Sequence, residues 1–221
     1  MRAIADKAAA IQKLPVKERP IADALTEAYI RVAADSATRI DKSVKASAFL
    51  IALGIALDDS SVLSGNPLTK KLCTAAESID ERKERIKNLG SPTVHKRRDL
   101  CQHFAVSVAL TEILGAGLTE LAGVGKEQAD MRGKSGFSFA DLCADLAGIE
   151  FASRVQKDPA MLETLAKGFR VSDYVPGIEG LREGLNEAEF KKDYGGVGDA
   201  RYKEQLANLR KQVSDVRAYR K

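Results

Sequence analysis

Aromatic residues are scarce in this chain: tryptophan is absent, and aromatic residues make up only 5% of the 221 positions. Proteins that bind single-stranded nucleic acid stack the bases on aromatic side chains, and this sequence offers few of them. The charge is close to balanced, with 35 Lys and Arg against 31 Asp and Glu and a net charge of +4. A slight excess spread over a mixed-sign surface does not demand a polyanionic partner. Together these observations argue against nucleic-acid binding.

Cysteine and histidine are also few. The three cysteines, Cys73, Cys101 and Cys143, are odd in number, show no C-x-x-C spacing and lie among apolar residues. This pattern is typical of buried free thiols. Two histidines exclude a histidine-rich metal site, and the sequence contains neither an H-E-x-x-H motif nor a recognisable nucleophile elbow.

Strand-like alternation of apolar and polar residues is missing, whereas apolar residues recur at three- and four-residue spacing from end to end. The sequence therefore predicts an all-α fold. We expect a single-domain bundle of about six to eight helices over residues 1–221, with an irregular glycine-rich segment at 171–198 before the C-terminal helix. The 44% of hydrophobic residues are enough to bury a substantial core.

Long uncharged apolar runs, which would mark membrane spans, are limited to two segments. Residues 46–57 cover about half a bilayer, and residues 104–125 carry Glu112 and Glu120. Both are interpreted as buried core helices. The first fourteen residues lack a signal-peptide pattern, which predicts a cytoplasmic protein as written, or a cell-envelope protein if a targeting segment was removed.

Breakers and caps divide the chain into predicted helices. Asn66-Pro67 indicates a helix start, and Ser138 is a predicted N-cap with Asp141 closing a capping box and Phe137 and Leu142 forming a hydrophobic staple. The predicted helices cover 21–40, 44–57, 67–89, 98–130, a helix begun at Ser138, 159–169, a short helix capped at Asn186, and 199–219. The long helix at 98–130 can kink at Gly115, Gly117, Gly123 or Gly125.

The last predicted helix is amphipathic and basic. Its apolar face contains Tyr202, Leu206, Leu209, Val213 and Val216, with Lys and Arg around it. Such a helix can bind an anionic membrane surface or an unidentified protein partner. The more common arrangement is that it packs on the core of its own chain.

Polar residues interrupt the apolar stripes of two consecutive predicted helices. His103 and Glu127 lie on the stripe of the long helix, with Asp130 one turn beyond Glu127, and Asp145 lies on the inward stripe of the next helix. A short connection predicts that the two helices form an antiparallel hairpin, in which Glu127 and Asp130 face Asp141 or Asp145. Carboxylates crowded there need a positive group among them: a metal ion, Lys126, Arg132 or a proton. Because His103 and Glu127 would lie about 36 Å apart on a straight helix, His103 can join them only if the helix breaks and folds back.

The residues around these positions resemble a known family. The segments 99–104, 125–130 and 135–148, with sequences DLCQHF, GKEQAD and SGFSFADLCADLAG, resemble the YfiM-like family of small bacterial envelope proteins and, more distantly, VanZ-like proteins. The resemblance covers about a quarter of the chain. It implies a bacterial, helical, envelope-associated protein whose biochemistry is not established.

Two functions remain open from the sequence. In one, the chain is a non-catalytic scaffold or partner-binding module, and the polar residues form a satisfied network that fixes helix register; this interpretation is slightly favoured because no complete catalytic motif is present. In the other, His103, Glu127, Asp130 and Asp145 form a hydrolytic site acting on an envelope-related substrate, with a divalent metal on Glu127, Asp130 and Asp145 as the possible cofactor.

Overall fold

The fold is α-helical, as the spacing of apolar residues predicts. A computed structural model describes residues 1–133 and 135–220. About 70% of the chain is helical. Within these ranges there is no strand, and the only β-type pairings are two isolated bridges, Val94 with Arg97 and Phe137 with Leu185. Lys134, in the predicted loop before Ser138, and Lys221 lie outside the described residues.

The described residues form thirteen α-helices and two short 3₁₀ helices, more elements than the six to eight helices predicted. The α-helices are α1 (Arg2–Gln12), α2 (Asp23–Thr38), α3 (Lys45–Leu57), α4 (Val62–Gly65), α5 (Lys70–Ala76), α6 (Ile79–Leu89), α7 (Arg98–Leu114), α8 (Ala116–Asp130), α9 (Phe139–Lys157), α10 (Met161–Gly168), α11 (Val171–Tyr174), α12 (Glu187–Tyr194) and α13 (Ala200–Ser214). The 3₁₀ helices are Val16–Glu18 and Arg217–Tyr219.

The predicted helix at 67–89 is wrong as one element. Asn66 does not cap a helix at Pro67; its side chain accepts the Leu68 N–H in a turn. The chain then breaks again before α6, where Ser78 and Glu81 form a reciprocal capping box. A capping box satisfies two backbone N–H groups that a continuous helix would bond internally, so it stabilises a new start at this point.

The predicted helix at 98–130 also breaks, at one of the four glycines named for a kink. Gly115 has φ +83° and ψ 159°, a conformation that glycine adopts without a steric penalty. The chain reverses there, so α8 returns along α7. This reversal places the two halves of the predicted helix side by side.

Helix α7 lies at the centre of the fold between α3 and α9. A Cβ on Gly54 of α3 would lie 2.7 Å from the Ala105 carbonyl oxygen, and one on Gly148 of α9 would lie 2.4 Å from the Phe104 carbonyl oxygen. Both neighbours therefore contact the backbone of α7 at positions where only glycine fits. The bond from Gln156 to Glu112 and the contacts near residue 145 show that α9 runs parallel to α7.

The main apolar core extends through the bundle from Ile4 to Val213, and a smaller separate cluster contains Ile55, Leu63, Cys73, Val106 and Ala109. The apolar face of α13 is buried in the main core, as predicted for packing on the chain's own core. All three cysteines are buried and free, which confirms the prediction from their spacing. No helix within the described residues is long and apolar enough to cross a membrane.

Candidate metal centre

The reversal at Gly115 brings polar side chains from three helices together. Helices α8 and α9 are antiparallel, as predicted: Gly123 of α8 lies against Asp145, and Glu127 of α8 bonds to Ser138 at the start of α9. Because α7 runs parallel to α9, His103 reaches the same place from the other side. The reversal at Gly115 thus removes the long separation between His103 and Glu127 that a straight helix would impose.

Asp145 holds the His103 ring. Its Oδ1 atom lies 3.1 Å from His103 Nδ1 and accepts a hydrogen bond from the Ser107 hydroxyl at 2.8 Å. If Nδ1 carries the ring proton and donates a hydrogen bond to Asp145, the lone pair of Nε2 remains available to bind a ligand. Nε2 points toward Asp141, whose Oδ2 atom is 3.6 Å away.

Glu127 takes the role that a capping box would give to the Asp141 carboxylate. Ser138 caps α9 by accepting the Asp141 N–H, as predicted, but Asp141 does not accept the Ser138 N–H in return. That N–H donates to Glu127 Oε2 at 2.9 Å. The capping-box assignment of Asp141 is therefore wrong, and its carboxylate faces His103 instead of its own helix end.

His103, Glu127 and Asp141 each offer one ligand atom, and these three atoms lie within 4.8 Å of one another. Of the residues predicted from sequence, His103, Glu127 and Asp145 are brought together, with Asp145 supporting the His103 ring. Asp130 lies outside this group, since its carboxylate accepts a bond from Lys126 at 2.7 Å. The sequence places Asp141 opposite Glu127 only as an alternative to Asp145 and not as a ligand, although the i, i+4 spacing puts both carboxylates on one face of α9.

The surrounding cations do not neutralise this group. Arg97 forms its closest contacts, at 2.6 Å, with Asp99 and Glu183, and its guanidinium lies 3.5 Å from Asp141 Oδ1. Lys126 is shared between Asp130 and Glu127. The three inner carboxylates of Glu127, Asp141 and Asp145 therefore share two cations that are also paired with carboxylates outside the group, together with His103 when its ring is protonated.

Two buried carboxylate oxygens accept no hydrogen bond from any residue that the structure describes: Asp141 Oδ1 and Asp145 Oδ2. A buried acceptor without a donor costs free energy, and a charged one costs more. Glu127 is itself fully buried. The cluster can therefore accommodate a cation. Its ligand set of one imidazole and two carboxylates suits a transition-metal ion.

Three pKa values in the cluster, those of Glu127, Asp141 and His103, are raised above their ordinary values. Burial raises the pKa of Glu127 against the opposing effects of the Ser138 N–H and Lys126, and burial likewise raises the pKa of Asp141 against the opposing charge of His103. Burial alone would lower the pKa of His103, but its bond to Asp145 and the charges of Asp145 and Asp141 outweigh this effect and raise it.

These directions predict a pH dependence of stability in the ion-free protein. All three pKa values are higher in the folded chain, so the folded state binds these protons more tightly; the stabilisation is complete below the unfolded values and is lost as pH rises through the folded ones. Urea unfolding in EDTA should therefore show a Glu127→Gln variant gaining stability relative to wild type as the pH rises above the ordinary pKa of glutamate. A difference between the two proteins that does not change with pH would contradict the raised pKa of Glu127.

No protein-family model, curated protein or solved structure matches this chain. The resemblance to YfiM-like proteins over 99–148 therefore stays a prediction.

Proposed function

We propose that this protein binds one divalent transition-metal ion through His103 Nε2 and the carboxylates of Glu127 and Asp141. The observation that carries the proposal is the convergence of these three ligand atoms within 4.8 Å, from three different helices. The ligand set differs from the sequence prediction of Glu127, Asp130 and Asp145, because Asp130 bonds to Lys126 and Asp145 bonds to His103.

The surroundings of the three ligands support this assignment. Metal-binding histidines usually donate their second ring N–H to a carboxylate, and Asp145 occupies that position. Imidazole suits Zn²⁺, Fe²⁺ and Ni²⁺, and the two carboxylates also suit Mn²⁺, whereas Mg²⁺ and Ca²⁺ prefer oxygen ligands alone. We therefore expect Zn²⁺ or Mn²⁺ to bind more tightly than Mg²⁺ or Ca²⁺.

Calorimetric titration of tag-free protein, stripped of metal with EDTA and dialysed, tests the proposal. One Zn²⁺ or Mn²⁺ should bind per chain, with Mg²⁺ and Ca²⁺ much weaker. If none of the four ions binds saturably, the proposal fails. The same residues would then form a hydrogen-bonded network that fixes the register of α7, α8 and α9, and the chain would be a non-catalytic scaffold or partner-binding module.

Hydrolysis by a metal-bound water is a second candidate function, favoured by the number of ligands. Three protein ligands leave a coordination position open, as in catalytic zinc sites, and the His103 and Asp141 side chains keep 12% and 16% of their surface exposed. The chain's contribution would be to hold the ion and, through Asp145, to orient His103. The envelope-related substrate and envelope location implied by the resemblance remain part of this proposal.

The visible spectrum of the Co²⁺-substituted protein separates a catalytic from a structural ion. If a position is open, azide should change the Co²⁺ bands, because the anion enters the coordination sphere. Bands that are unchanged at saturating azide would indicate a closed structural site, and the hydrolytic candidate would be abandoned.

A further inference from the structure

Helix α8 is attached to the rest of the molecule mainly through polar groups. Its only buried residues are Thr119 and Glu127, and the Thr119 hydroxyl donates to Gly115 at the start of the same helix. Of these two, Glu127 forms a hydrogen bond to another helix, where it accepts the Ser138 N–H at the start of α9. The two leucines of α8 point outward, with Leu118 58% and Leu121 70% exposed. Val124 is the one apolar side chain of α8 that packs, partly buried, against the core, so apolar burial contributes little to holding α8 in place.

Helix α8 is also weak as an isolated helix. A Cβ added to Gly117 or Gly125 would meet no atom within 4 Å, so packing does not require glycine at either position. Glycine lowers helix stability relative to alanine. Gly115, at the start of α8, has a positive φ that other residues adopt only with strain, and it provides a hinge for the helix. These features let α8 move as a unit relative to α7 and α9.

In its docked position, α8 brings the Glu127 carboxylate close to the carboxylates of α9. A Cβ on Gly123 would lie 2.9 Å from Asp145 Oδ2, the oxygen that accepts no hydrogen bond, so this part of α8 lies directly on that carboxylate. Four residues later, Glu127 is carried into the group formed by His103 and Asp141. Without a cation, docking α8 therefore requires burying Glu127 beside two other carboxylates.

We propose that α8 is a metal-dependent flap: a divalent ion at His103, Glu127 and Asp141 docks it onto α7 and α9, and loss of the ion releases it about Gly115. This inference rests on the proposed metal site. Around a tetrahedral Zn²⁺, ligand atoms lie roughly 3.4 Å apart, so the group that now spans up to 4.8 Å must contract. His103 and Asp141 belong to the rigidly packed pair α7 and α9, and Glu127 of α8 is the ligand free to move.

Hydrogen exchange followed by mass spectrometry tests the flap in the full chain, with EDTA or with one equivalent of Zn²⁺. Amides in 116–130 should exchange at least tenfold more slowly with Zn²⁺, whereas amides in 139–157, the internal control, should change little. In a Glu127→Gln variant, 116–130 should be protected in EDTA and unresponsive to Zn²⁺, because the charge is removed while an acceptor for Ser138 remains. The matched Asp130→Asn variant should respond like wild type.

The outcomes separate the flap from the metal site. If calorimetry shows Zn²⁺ binding while 116–130 exchanges equally in EDTA and Zn²⁺, the flap is wrong and the metal site stands. Equal slowing of 116–130 and 139–157 would indicate general stabilisation and would also overturn the flap. If no Zn²⁺ binds, both the site and the flap fall.

Discussion

Glu127→Gln should lower the affinity of the protein for Zn²⁺ by on the order of 100-fold or more, because loss of a direct ligand should exceed the 10–100-fold effect of losing an outer partner. The same change should stabilise the ion-free protein, since it removes one of three crowded carboxylates and keeps an oxygen for the Ser138 N–H. A loss of Zn²⁺ affinity together with a gain in the stability of the ion-free protein is expected for a metal ligand whose charge destabilises the fold when the ion is absent. Calorimetry and urea unfolding in EDTA measure the two quantities.

Asp130→Asn is the matched control, because Asp130 lies three residues along the same helix and bonds to Lys126 outside the group. It should change Zn²⁺ affinity only a few-fold, whereas Asp141→Asn should act like Glu127→Gln. Asp145→Asn should have an intermediate effect through the orientation of His103. A larger loss for Asp130→Asn than for Asp141→Asn would restore the ligand set predicted from sequence and contradict the one drawn from the structure.

Gly148→Ala should destabilise the protein by about 3 kcal/mol, at the upper end of overpacking in a dense core. The added methyl would lie 2.4 Å from the Phe104 carbonyl oxygen and 3.0 Å from Ser107 Cβ, both on α7, so α7 and α9 must separate. Ser107 also bonds to Asp145, and the separation should therefore weaken Zn²⁺ binding as well. Urea unfolding followed by circular dichroism measures the stability.

The control for this change is Gly125→Ala, in the exposed part of α8. The new Cβ meets nothing within 4 Å, so the gain in helix propensity should stabilise the protein by up to about 1 kcal/mol. If both alanine variants unfold at the same urea concentration, the close approach of α9 to α7 is not a constraint on the fold.

Local signals in the sequence predict some helix starts correctly and miss others. Ser138 and Asn186 were predicted caps and do cap α9 and α12. The capping box at Ser78 and Glu81 has the same kind of signature but lies inside a continuous helical pattern, which favours a single helix across it. Helix α1, which was not predicted, buries Ile4, Ala8 and Ile11 at helical spacing.

The candidate site was only partly predictable because its geometry depends on tertiary structure. Charged residues on apolar stripes pointed to His103, Glu127 and Asp145, since buried charges need partners. Which glycine would reverse the chain depended on packing, and only the reversal at Gly115 brings His103 to Glu127. Asp141 was assigned to its own helix end because the competitor for the Ser138 N–H, Glu127, comes from another helix.

The two glycine contacts on α7 also limit how the sequence can change over evolution. Gly54 faces Ala109 across one side of α7, and Gly148 faces Ser107 across the other, with no room for a methyl group at either glycine. A larger residue on one side of either pair can be accommodated only by a shift of the whole helix, which would move His103 relative to Asp145. Descendants of this sequence that keep the site should therefore hold small residues at 54, 107, 109 and 148 while the outer face of α8 drifts freely.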